Sequence, residues 1–424
     1  MSRDAEKKAA SSTPGRAAPS ANAKAAAILL ALGLSACAGS VPNAAPPPPS
    51  QPQAAIPTAP AAPTVPQRVA RPGLTPSFAA GRPLTRVGVL LPFTSVTTEA
   101  QSLYEAAELA LFEANDPNLL IIPRDSGGDA PTALTAAQGV LKDGADVIVG
   151  PLIKESVQGA AQAAASAQPK APIIAFSTDN TVAGNGVFLL SLPLDEEIAR
   201  IVDYASKQGL KRLALLAPNN EYGRRVDAAV RKQAAAHGAS VVASQFYTRS
   251  EKEAGGAAQL MAPQAKAFDA QAVLIAETGA PLRAIGSALA SSGLDLQHTR
   301  LLGVGWAAGD ALREPTLAGG WYAAPDPAAR AAFEQKFTAA YGKAPTRLAS
   351  LAYDAVTVTE LLTRETGAAG LTALQRPEGF TGADGLFRFR ADGTVERALA
   401  VLEVRANTAA VIDPAPARFP AAGF

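Results

Sequence analysis

The sequence predicts an α/β fold built on parallel sheets, and three observations carry that prediction. Short, wholly apolar runs recur along the chain, such as Val87-Gly-Val-Leu-Leu91, Val147-Ile-Val149 and Ala272-Val-Leu-Ile-Ala276. Strands covered on both faces read as continuous apolar runs of this kind rather than as alternating ones. Polar, glycine-bearing loops follow most of them, and Ala- and Leu-rich stretches with helical spacing come next. The same strand–loop–helix unit then appears on both sides of residues 190–195. Repetition of this type puts ligand-facing loops at the carboxyl ends of the strands.

Taken in order, residues 87–91 form a first strand stopped by Pro92, and Phe93-Thr94-Ser95 is its loop. Leu103, Ala106, Ala107, Ala110 and Leu111 mark one face of the next helix. A strand at 119–122 leads through Asp125-Ser-Gly-Gly-Asp129 to a helix over 132–142. Strand 146–149, helix 155–167 and strand 172–176 follow, ending in the polar loop Ser177-Thr-Asp-Asn180. Four such units in succession imply parallel pairing with right-handed crossovers. Residues 187–193 do not open a helix in the same way, so an inter-lobe crossing is placed at 190–195. Asp195 is read as the N-cap of the next helix, with Glu196 and Glu197 in its first turn, where the helix dipole favours anions.

The second run has strands at 212–217, 240–246, 272–276 and 300–304, separated by helices at 221–236, 256–266 and 281–292. After Trp306 the rhythm breaks, and Gly319-Gly-Trp-Tyr322 reads as a strand crossing back. Helices around 327–341 and 347–365 precede a closing hairpin, residues 386–404, turned at Asp392-Gly393.

Composition narrows the function classes. A formal net charge of +1 gives no electrostatic case for nucleic acid. One cysteine excludes an intramolecular disulfide, and two histidines, His237 and His298, leave little material for imidazole chemistry or a His-based metal site. Gly-x-x-x-x-Gly-Lys, His-Glu-x-x-His and Gly-x-Ser-x-Gly are all missing from the sequence. Gly303-x-Gly-x-x-Ala308 follows a strand, but Gly309, Asp310 and Pro315 leave no full helix behind it for a pyrophosphate. No cofactor and no catalytic residue are expected.

The N-terminus carries Arg3, Lys7, Lys8, Arg16 and Lys24, then the apolar run 25–34, then Ser35-Ala36-Cys37. That run is too short to span a bilayer and has the layout of a secretory signal. Leu34-Ser-Ala-Cys37 resembles a bacterial lipobox, which implies a signal over 1–36 and a lipidated Cys37. Ala38 after the cysteine favours the outer membrane on the same resemblance. Residues 37–83, with Pro46-Pro-Pro-Pro49, read as an extended Pro/Ala spacer.

Arg86-Val-Gly-Val-Leu-Leu-Pro-Phe-Thr94, Val147-Ile-Val-Gly-Pro151, Pro172-Ile-Ile-Ala-Phe-Ser-Thr178, Glu221-Tyr-Gly223 and the closing Gly385–Gly393 hairpin resemble the type I periplasmic binding proteins of the Leu/Ile/Val receptor branch. The lipobox, the spacer and the Val-Leu-Leu-Pro opening resemble the lipoproteins known as penicillin-binding protein activators. The resemblance implies two lobes, each a parallel sheet with helices on both faces, joined by three crossings around a cleft. The corresponding boundaries are 84–192 plus 323–382 for the first lobe, 193–322 plus 383–405 for the second, and a tail over 406–424.

On that resemblance Ser177, Thr178, Tyr222, Glu277, Thr94 and Trp306 are cleft candidates. Ser177 and Thr178 would offer donors to a ligand carboxylate, against the alternative of a turn satisfying its own backbone. Tyr222 would face the ligand, or merely start its helix. Where amino-acid receptors supply an acid to the ligand ammonium, this chain has Gly303-Val-Gly-Trp-Ala-Ala-Gly309 instead. An unpaired ammonium in a closed cleft costs several kcal/mol, so its loss argues against tight zwitterion binding unless Glu277 substitutes. Two expectations follow. One is a non-catalytic, envelope-anchored activator whose partner is a peptidoglycan synthase. The other is the receptor of a branched-chain amino-acid type ABC permease, with a small ligand such as an amino acid. Arg224, Arg225, Arg231 and Lys232 read as a solvated helix face.

Overall fold

The computed structural model describes residues 75–419, all within one compact unit of the chain. The signal-like segment, Cys37 and the spacer up to residue 74 lie outside the described residues.

The first lobe opens with β1 (Thr85–Leu91), α1 (Thr97–Ala114), β2 (Leu119–Asp125), α2 (Ala130–Lys142), β3 (Val147–Val149), α3 (Lys154–Ser166), β4 (Ile173–Ala175) and β5 (Val187–Leu189). Its five strands are all parallel, in the order β2-β1-β3-β4-β5. Every residue of β1 is buried, because the sheet is covered on both faces. Val87, Val89 and Leu91 join the core beside α1, and Leu90 joins the core beside α2 and α3. Gly88 lets α2 lie close: a Cβ there would stand 2.7 Å from a Val140 methyl.

The second lobe continues with α4 (Leu194–Lys207), β6 (Arg212–Pro218), α5 (Glu221–Ala236), β7 (Ser240–Tyr247), α6 (Glu251–Ala267), β8 (Ala272–Ala276), α7 (Gly279–Ser291), β9 (Arg300–Val304) and β10 (Trp321–Ala324). The chain returns to the first lobe with α8 (Pro327–Tyr341), α9 (Ala349–Thr363) and a small antiparallel sheet of β11 (Phe380–Gly382), β12 (Gly385–Phe389) and β13 (Val395–Arg397). It ends in the second lobe with β14 (Ala400–Arg405) and β15 (Thr408–Asp413). That lobe's sheet runs β15-β14-β10-β9-β8-β6-β7, parallel from β7 to β10 and antiparallel beyond.

Three expectations about boundaries need correction. Residues 383–397 belong to the first lobe, because Phe387, Phe389 and Val395 pack into its core and Phe389 meets Phe188 at 5.4 Å. The third crossing therefore falls at Ala398 and Leu399. The stretch after 405 is not wholly a tail, since β15 pairs with β14 over residues 408–413. The folded body also begins before residue 84, with Ala79 and Leu84 buried.

Polar contacts bind the crossings. Arg397 Nε donates to the Ser191 carbonyl at 2.6 Å, and Arg200 Nε donates to the Leu399 carbonyl at 2.8 Å. Arg390 pairs with Glu196 across the lobes at 2.7 Å.

Candidate ligand-binding cleft

The carboxyl ends of β6 and β8 shape one wall. β6 runs into Asn219 and Asn220, and the Asn220 side chain accepts the Gly223 N–H at 3.0 Å, capping α5 and fixing where Tyr222 starts its turn. Asn220, Tyr222, Arg249, Glu277 and Thr278 line a recess of about 320 Å³. Tyr222 keeps 38% of its surface. Its phenol is pushed up by partial burial and then by the Glu197 and Glu277 carboxylates.

Glu277 stands at the recess but is not a free acid. It is 2% exposed, and its Oε1 accepts from Arg249 Nε at 3.0 Å and from the Thr278 N–H at 2.9 Å. Tyr247 donates its hydroxyl to Oε2 at 3.1 Å. A carboxylate so filled has little left for a ligand cation.

Trp306, by contrast, does not line the cleft. It is 1% exposed, inside the second-lobe core, with Tyr322 at 6.3 Å. The ring lies against the backbone of β9: a Cβ on Gly303 would stand 2.0 Å from it. The two residue choices are coupled, because only glycine at 303 admits the indole.

In the first lobe the candidates are bonded locally. Ser177 is buried and its hydroxyl accepts the Asp179 N–H at 3.2 Å, which is the turn alternative; its own O–H is still available to donate. Thr178 is exposed, and its carbonyl accepts from Arg225 Nη1 of α5 at 3.2 Å. Arg225 also pairs with Asp195 of α4 at 2.7 Å, so this part-exposed side chain ties α5 both to α4 and to the first-lobe turn. Thr94 donates to Asp125 at 2.7 Å. Burial would raise the Asp125 carboxyl, but the Thr94 hydroxyl and the Gly127 N–H hold it below its ordinary range. Lys154 pairs with Asp179 at 2.7 Å and holds that carboxyl down at about 2.

The residue that sequence reasoning missed is Glu197. α4 starts at Leu194 with Pro193 at its cap position, so Asp195 is not the N-cap. The three acids of its first turn have different fates: Asp195 pairs with Arg225, Glu196 with Arg390, and Glu197 with no cation within ion-pair distance among the described residues. Glu197 Oε2 accepts the Gly305 N–H at 3.0 Å, so an acid reaches the loop after β9 from another element. Burial pushes its carboxyl up to about 7, against the pull of the Gly305 N–H and Arg347. A methyl built on Gly305 would lie 3.3 Å from Thr278 Cγ2 and 3.9 Å from the Tyr222 hydroxyl, so the backbone that Glu197 holds borders the recess. The signal for it was the run Asp195-Glu-Glu197 beside a crossing.

The arrangement suits reversible recognition of a small polar molecule. Among the described residues there is no cluster of three potential metal ligands, and no helix is long and apolar enough to cross a membrane. The profile of the periplasmic binding protein family matches residues 85–409. The chain belongs to that family. Among solved structures, an ABC transporter substrate-binding protein from Sphaerobacter thermophilus superposes with a TM-score of 0.62 at 20% identity, covering 80% of this chain and 98% of its own. One from Desulfitobacterium hafniense in complex with Leu gives 0.59 at 20% identity, covering 77% and 99%. A leucine binding protein from Thermotoga maritima gives 0.55 at 17% identity, covering 78% and 99%. A comparison with curated protein sequences gave no match. At these identities the likeness establishes the two-lobed α/β fold; like its family, the chain is a binding-protein body.

Proposed function

We propose that this periplasmic binding protein is the non-catalytic solute receptor of an ABC transporter of the branched-chain amino-acid type. The observation that carries the reading is the charged recess at the strand ends of the second lobe, with Glu197 unpaired beside it. The objection raised by Gly303–Gly309 loses its force, because Glu197 supplies an acid to that loop from α4. Ligand would bridge the recess and the Ser177–Thr178 turn, favouring the closed arrangement that a permease reads. A thermal-shift screen of amino acids and small carboxylates tests this. Ligand at 100-fold over its dissociation constant should add about 2.7 kcal/mol of stability, and a uniformly flat screen would refute the reading.

A second reading, activation of a peptidoglycan synthase, draws on the Cys37 lipobox, the Pro/Ala spacer and the pre-paired Glu277. It predicts that the ligand-free protein stimulates a penicillin-binding protein, measured as transpeptidation rate. Both readings include lipidation at Cys37 and attachment at the outer membrane facing the periplasm. Mass spectrometry of the mature N-terminus and fractionation of a Cys37→Ser variant test them.

A further inference from the structure

We infer that residues 63–74, the chain just before the folded body, dock into an apolar cavity at the far end of the first lobe. The cavity, of about 770 Å³, lies where β3, β4 and β5 begin. Its walls are Ala161 and Ala165 of α3, Ile173, Val187, and Ala368 and Leu371 of the 3-10 helix Gly367–Gln375. The cleft candidates sit at the other ends of these strands: from Ile173 in the wall, β4 runs toward Ser177, about 13 Å away at ~3.3 Å per residue. The cavity is therefore separate from the recess beside Glu277, and the inference holds whatever the cleft binds.

The occupant is identified by where the chain enters. The described residues start at Thr75, whose hydroxyl accepts from Arg86 Nη2 at 2.7 Å. The Arg86 N–H donates to Asp146 Oδ2 at 2.9 Å, and its carbonyl accepts the Asp146 N–H at 2.8 Å. Asp146 is itself part of the cavity wall. One arginine thus stands between the incoming chain and the cavity. A round cavity of this volume is about 11 Å across, which about four extended residues span at ~3.1 Å each. Residues 63–74 are about three times as long. Pro63, Pro66 and Pro72 carry no N–H, so the segment has carbonyls to be met, and Val65 and Val69 give it apolar side chains. The cavity has donors to match: Lys170 and Asn185 line it, and neither side chain has a hydrogen-bond or ion-pair partner among the described residues. Tethering adds the rest. A segment joined this close to its site is present at an effective concentration of about millimolar, well above that of a free ligand or a second copy at micromolar level.

The test uses the full chain with Cys37→Ser, which removes its one cysteine. Ala165→Cys is combined with Val65→Cys or with Val69→Cys, and mild oxidation is followed by mass spectrometry. At least one pair should bridge within a single chain, and neither segment position should bridge to Lys252→Cys, an exposed site in the second lobe. Trypsin cleavage after Arg68 is timed in the native chain and in Ala165→Trp, which fills the cavity from an exposed position. Filling should speed the cut about tenfold by raising the undocked population. Circular dichroism confirms that each variant is folded. Bridges only between two chains would hand the cavity to a second copy and overturn the inference. It also falls if neither pair bridges to Ala165→Cys, if Lys252→Cys bridges as fast, or if Ala165→Trp leaves the cutting rate unchanged.

Discussion

Replacing Glu197 with glutamine should make the ligand-free protein more stable at pH 8 and leave it unchanged at pH 4.5. The carboxyl is held protonated far above its ordinary 4.5, up to about 7, because burial penalises its charge more than Gly305 N–H and Arg347 favour it. A group raised in the folded state stabilises the fold fully below its unfolded pKa, and that contribution is lost as pH rises through the folded value. The gap from 4.5 to about 7, at ~1.4 kcal/mol per pH unit, corresponds to about 3 kcal/mol of stability surrendered by pH 8. Glutamine surrenders none of it and retains the bond to Gly305. Urea titrations of both proteins at several pH values between 4.5 and 8 would show the difference opening through that window, reaching about 1 M in midpoint at the alkaline end. Asp354, raised to about 7 by burial in the first lobe, bends both curves alike and cancels in the difference. Coincident curves at pH 8, or a less stable glutamine variant, would refute the claim that Glu197 is a desolvated, unpaired acid.

Three further outcomes are expected. Affinity for an amine-bearing ligand should rise about tenfold from pH 6 to pH 8 as Glu197 ionises, with no such rise in Glu197→Gln, by calorimetry at each pH. Arg249→Ala strips Glu277, 2% exposed, of its cation and should cost about 2–4 kcal/mol, most of it regained in the double variant with Glu277→Gln, read by chemical denaturation. Gly303→Ala drives a methyl into the Trp306 ring and should cost about 1–3 kcal/mol, whereas Trp306→Ala empties the same space and should cost about 3–5 kcal/mol.

The strands were readable because both sheets are covered on both faces, so their sequences carry unbroken apolar runs such as 272–276. The hairpin at Asp392-Gly393 was readable as a hairpin, but a local turn signal says nothing about which lobe receives it. That is decided by Phe387 and Phe389 meeting a distant core. Glu277 was visible as an acid at a strand end. Its saturation was not, since Tyr247 and Arg249 reach it from the end of β7, two strands over in the sheet, and the turn beyond, about 30 residues away. Glu197 was hidden among three adjacent acids whose neutralising arginines lie 30 and 194 positions off. Which acid remains unpaired is a property of the folded chain.

The buried guanidinium of Arg397 has a mechanical consequence. By gripping the Ser191 carbonyl it staples the third connecting strand to the first, and Arg397, 4% exposed, cannot exchange that bond for water cheaply. Two of the three tethers therefore share one fulcrum. Any hinge motion of the lobes would then turn about a fixed axle rather than a loose sling, while sliding or twisting past one another would first have to break the staple.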